Sequence, residues 1–194
     1  YVLHASVFNF IISIFTFLTL VKLGLKENYS CFYAISLSIL FYPTVGTPFV
    51  DHHALIFSLL SIFSFILAVR TRESLYWFLL PITLLFGFFA KQTPTAYVAF
   101  IVLFFTIWYF IVHFQKKNLI VFLLSSFTIF LITIFFFIIK DINFRDFYNQ
   151  YILFASTIGK YRLESEFLFP LEFKKIVLRF KLIHLSYIIL IIAI

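Results

Sequence analysis

Long uncharged runs of Phe, Leu and Ile alternate along this chain with short polar stretches that hold nearly all of its charge. Residues 1–21, 30–43, 54–69, 75–90, 95–113 and 119–139 contain no Asp, Glu, Lys or Arg, and a further apolar run begins near Leu185. A helix needs about 20 apolar residues to cross a hydrocarbon core roughly 30 Å thick. The second to fourth runs are short alone but lengthen when their uncharged flanks are included. Lipid offers no partners for peptide groups, so each run must be a helix or a barrel strand. The runs are too long for strands and lack alternation with period two, which selects helices. The pattern therefore predicts an all-α, polytopic transmembrane helix bundle. It has about six full spans and a truncated seventh, in a single domain over 1–194.

The polar stretches orient the bundle. Alternate connections carry Lys22 and Lys26, then Arg70 and Arg72, then Lys116 and Lys117. The connections between them, 44–53 and 91–94, hold Lys91 alone. Cations in short loops mark the cytoplasmic side, so the loops around Asp51 and Lys91 are expected on the outer face. Residues 140–184 then form a long outer-face loop with eight Lys or Arg and five Asp or Glu. That many outer cations runs against the same rule, so either the stretch re-crosses the membrane or its cations have work outside. Residues 171–184 have the composition of an amphipathic helix lying on the membrane.

Composition sharpens the class. Of the 194 residues, 63% are hydrophobic and 12% charged, with a mean hydropathy of +1.09. Soluble domains are nearer half apolar and a quarter charged, so lipid is the solvent for most of this surface. The 32 Phe fit an AT-rich coding sequence better than a chemical role. No Met occurs, even at position 1, which reads as an internal piece of a longer chain. Cys31 is the sole cysteine, excluding a disulfide framework or a thiol cluster. The net charge of +7 lies outside the apolar runs, +4 in the short connections and +3 in residues 140–184. It suits anionic lipid or phosphate, not nucleic acid.

Two segments carry candidate chemistry. In the first, residues 43–54, two Pro and one Gly end one helix and Asp51-His52-His53 opens the next. Asp51 is placed to cap free backbone N–H groups at the positive end of a helix dipole. The same carboxylate could act as acid, base or metal ligand at the membrane surface. His52 and His53 are candidate ligands for a divalent metal ion, although adjacent helical residues point about 100° apart. In the second segment, residues 87–94, Lys91 is the only charge between Glu73 and Lys116. It could snorkel to the headgroups or bind a phosphate.

The order and spacing of these residues resemble the GT-C superfamily of membrane glycosyltransferases. The closest likeness is to its dolichyl-phosphate-mannose-protein mannosyltransferase and aminoarabinose-transferase branch. An acidic residue opens a helix after an outer loop, as Asp51 does, and a Gly-x-x-x-Lys pattern follows a hairpin later, here Gly87 to Lys91. A long outer loop after the next hairpin, 140–184, also fits. The resemblance implies transfer of a sugar from a polyprenyl-phosphate donor to an unspecified acceptor on the outer face of the plasma membrane, in the cell envelope. It implies Asp51 as a catalytic carboxylate, the second acidic residue of the family pattern. The principal acidic motif would precede Tyr1, since no Asp-Asp, Asp-Glu or Asp-x-Asp pair occurs. Lys91, Arg145, Lys160 and Arg162 are the implied contacts to the lipid phosphate. A divalent metal is used in some branches and not in others. The alternative reading is a transporter or polymer ligase without this chemistry. A transporter would call for ionisable groups at mid-membrane, which no run contains.

Overall fold

The computed structural model describes residues 2–41 and 50–157. Every regular element among them is helical. In chain order these are α1 (Val2–Lys22), α2 (Glu27–Phe41), α3 (Val50–Thr71), α4 (Ser74–Ala90), α5 (Gln92–Val112), α6 (Lys116–Ile139) and the short α7 (Phe144–Phe147). A π-helical segment, Tyr148–Leu153, follows α7. The chain divides into two compact units, Tyr1–Phe144 and Arg145–Ile194. The anticipated amphipathic helix at 171–184 and the run near Leu185 lie outside the described residues.

Four helices, α1, α3, α5 and α6, are long and apolar enough to cross a bilayer, which marks the chain as a membrane protein. At 15 and 17 residues, α2 and α4 are shorter. Several helices start a few residues before the apolar runs do. An apolar run records contact with hydrocarbon, whereas a helix continues through its first polar turn, where free N–H groups reach water. Thus α2 takes in Glu27, α3 takes in Asp51 and α6 takes in Lys116.

In the first unit, α3 and α4 form the centre. α3 packs on α1, α4 and α5, and α4 packs on α3, α5 and α6. Burial follows this order: 44% of the apolar window of α3 is buried but only 6% of that of α6. α6 therefore turns most of its surface outward, apart from the face that packs on α4. The main core gathers Leu67, Trp77, Leu80, Val102 and Phe110, with Trp77 fully enclosed and its ring tilted by 41° against that of Phe110 at 4.6 Å between ring centres. A second cluster, Ile12, Ile56 and Leu60, joins α1 to α3.

Apolar burial alone gives weak selectivity between helices in lipid, where tails are as apolar as Leu. Hydroxyls and amides supply register. Ser61 donates to Thr83 Oγ1 (3.0 Å), tying α3 to α4, and Ser125 of α6 donates to the Phe78 carbonyl (2.7 Å) of α4. Asn9 and Ser13 of α1 donate to the carbonyls of Ser38 and Ala34 on α2, both at 3.2 Å.

Lys22, from the end of α1, forms an ion pair with Glu73 (3.0 Å) and donates to the Tyr76 hydroxyl (2.6 Å). At the start of α6, Asn118 accepts from Ser74 (2.8 Å) and donates to the Arg72 carbonyl (3.0 Å). These contacts clamp one end of the bundle. Asp51, His52, His53 and Lys91 gather at the other.

Candidate functional site at one end of the bundle

Three adjacent side chains in the first turn of α3 reach three different neighbours. Asp51 pairs with Lys91 at the α4–α5 junction. His52 Nε2 meets the carbonyl of Phe41, the last residue of α2. His53 Nε2 lies 3.3 Å from Nε2 of His4, in the first turn of α1. The rotation of about 100° per residue makes this fan possible. It also separates the two adjacent histidines, whose ring centres are 6.2 Å apart.

The position of Lys91 follows from a tight turn. α4 ends at Ala90, and Lys91 is extended (φ −162°, ψ 139°) while its N–H still closes on the Gly87 carbonyl at 3.1 Å. Thr93 is also extended (φ −101°, ψ 133°), as the residue before a proline prefers. Pro94 then occupies the first turn of continuous α5, where its missing N–H costs nothing. One residue on, Thr95 is completely buried. Its hydroxyl is 2.9 Å from Ser58 Oγ and 3.4 Å from the Ala54 carbonyl, both on α3.

Gly87 makes this fit possible. A Cβ at that position would stand 2.8 Å from Thr95 Cγ2 and 3.2 Å from Phe57 Cβ. The absent side chain lets α4, α5 and α3 converge, and their convergence sets the ammonium of Lys91 beside the carboxylate of Asp51. The Gly-x-x-x-Lys spacing thus has a local physical cause.

The Asp51–Lys91 pair lies at the surface, with side chains 63% and 38% exposed. An exposed pair contributes only about 0–1 kcal/mol, so it opens readily to an incoming ligand. Beside it, Phe8 presents its edge to both His4 and His53, at ring-centre distances of 4.9 and 4.7 Å. A shallow groove of about 550 Å³, lined by Ser6, Asn9, Phe10, Ser13, Ser38 and Ile39, runs along the α1–α2 surface. Asn9 is buried there, and its Oδ1 has no hydrogen-bond partner among the described residues.

The arrangement joins a carboxylate to an ammonium and holds two imidazoles nearby. It can accept a proton at Asp51 and bind an anion at Lys91. Of the other anticipated phosphate contacts, Arg145 is exposed in the second unit, and Lys160 and Arg162 lie outside the described residues. Among the described residues no three His, Cys, Asp or Glu side chains assemble as a metal site.

His4 was not among the residues singled out from sequence. It stands 49 positions from His53, and a lone histidine in an apolar run carries no signal of its partner. Compared with protein-family models, curated proteins and solved structures, the chain matches none.

Proposed function

We propose that this protein is a membrane glycosyltransferase that moves a sugar from a polyprenyl-phosphate donor to an acceptor hydroxyl at the outer face of the plasma membrane. The observation that carries the reading is the Asp51–Lys91 pair at one end of an apolar helix bundle. It sets a proton acceptor beside an anion binder, and the end of an apolar bundle is where a lipid phosphate would meet them. The GT-C resemblance of the two motifs supports the same assignment. In this reading α2 and α4 cross the membrane with the four longer helices, giving six spans. The end bearing Lys22, Arg72 and Lys116 faces the cytoplasm.

In the reaction, the acceptor oxygen attacks the anomeric carbon and its proton passes to a carboxylate, for which Asp51 is the candidate among the described residues. The bond from the anomeric carbon to the phosphate oxygen breaks, and the phosphate leaves with the electron pair. Lys91 stabilises that departing charge. In the resting state the ammonium rests on Asp51. Donor binding draws it to the phosphate and frees the carboxylate for its proton.

Binding in nanodiscs tests this proposal. The intact protein should bind a polyprenyl phosphate well above the matching uncharged polyprenol. A hydrogen bond to a charged group contributes about 1.5–3 kcal/mol, so Lys91→Gln should weaken phosphate binding about ten- to hundredfold and leave polyprenol binding alone. Lys91→Arg should keep part of the affinity. Equal binding of the two lipids by the unmodified protein would overturn the reading.

A further inference from the structure

We propose that His4 and His53 form a binding site for a divalent transition-metal ion of the zinc class, distinct from a site built on the adjacent pair His52 and His53. The inference does not depend on the sugar-transfer reading.

The geometry of the two rings points to it. Their Nε2 atoms are 3.3 Å apart, and a tetrahedral ion with nitrogens at roughly 2.0–2.1 Å holds two of them about 3.4 Å apart. A hydrogen bond between imidazoles prefers a straight N–H···N line. Rings joined head-on in that way would have centres separated by the nitrogen–nitrogen distance plus both ring radii. Here the centres are only 4.9 Å apart and the planes are tilted by 34°. The two nitrogens therefore converge at a slant, as they do towards a shared ion.

The support is rigid and comes from separate helices. His4 belongs to the first turn of α1 and His53 to the first turn of α3. The helices are joined below them by Ile12, Ile56 and Leu60. Phe8 meets both rings edge-on, at interplanar angles of 85° and 82°, and also meets Phe57. The imidazoles are thereby held in place before any ion arrives. His52 turns its Nε2 to the Phe41 carbonyl instead.

Imidazole suits zinc, copper and nickel, while carboxylate and carbonyl oxygen suit magnesium and calcium. Two protein ligands leave further coordination positions to water or an anionic oxygen, so the site is exchangeable rather than structural. The partial positive charge at two helix N-termini keeps its affinity modest.

The test uses the intact, tag-free protein in nanodiscs, titrated with Zn²⁺ against a competing chromophoric chelator. One equivalent should bind, and a saturating amount should raise Tm. His53→Ala and His4→Gln should each lose that equivalent, whereas His52→Ala should keep it. His4→Gln matters because an amide can still hydrogen-bond to His53 but ligates zinc poorly, and residue 4 is exposed, so folding is spared. Zn²⁺ bound as well by His4→Gln as by the unmodified protein would overturn the proposal. So would loss of binding in His52→Ala alone, which would return the ion to the adjacent pair.

Discussion

Asp51 and Lys91 illustrate how little energy a functional contact requires. Both side chains reach solvent, that of Asp51 more than that of Lys91, so breaking the pair costs about 0–1 kcal/mol. Asp51→Asn should leave expression and Tm nearly unchanged, since the only contact it breaks among the described residues is that exposed ion pair. It should abolish sugar transfer, because an amide accepts no proton at neutral pH. The same substitution releases Lys91 from its competitor, so affinity for polyprenyl phosphate should stay level or rise. Transfer at the unmodified rate in Asp51→Asn would reduce the carboxylate to a surface ion-pair partner of Lys91. Parallel loss of transfer and lipid binding would show a collapsed site instead.

At the scale of elements, the site depends on how closely α4 approaches α3 and α5. Gly87 has Thr95 and Phe57 where a Cβ would go, and both belong to packed helices with little freedom to retreat. Overpacking of this kind costs about 1–3 kcal/mol. Gly87→Ala should therefore lower Tm and weaken polyprenyl-phosphate binding together, although residue 87 need touch no ligand. Thr95→Val removes the hydroxyl that meets Ser58 and keeps the shape. Buried interhelical hydrogen bonds in membranes average about 0.6 kcal/mol, so its loss of Tm should be clearly smaller than that of Gly87→Ala. Thermal unfolding of both variants in nanodiscs measures the order. A larger loss in Thr95→Val would mean that the hydroxyl pair, not close approach, holds the junction.

For the whole molecule, the helices run alternately, so the start of α3 and the end of α4 meet at one end while Lys22 and Glu73 meet at the other. Six of the seven cations before residue 140 belong to that second end, which predicts it to be cytoplasmic. In a Cys31→Ser background, Thr93→Cys should react with an impermeant thiol reagent in intact cells. Asn28→Cys should react only after permeabilisation. The reverse pattern would invert the protein and move the Asp51 site to the inner face. Ser165→Cys extends the measurement to the basic stretch after residue 140. Labelling in intact cells would place it outside.

Helices α1 to α6 were legible in the sequence because hydrocarbon imposes a simple rule: uncharged runs long enough to cross must bond their own backbone. The clustering of cations at one end was legible for the same reason, since charge is confined to the connections. Asp51 and Lys91 could be singled out because each is isolated amid uncharged residues, and the helix start at Asp51 was marked by Pro, Gly and a change in polarity. Their contact could not be read, because it depends on the approach of α4 and α5 to α3 permitted by Gly87. The parting of His52 from His53 follows from helical rotation, but their partners, Phe41 and His4, are decided only by the positions of α2 and α1. Apolar periodicity records which residues meet lipid and is silent on which helix lies beside which. That choice rests on a few hydroxyls, one glycine and the shapes of buried rings, and these act only once the helices are together.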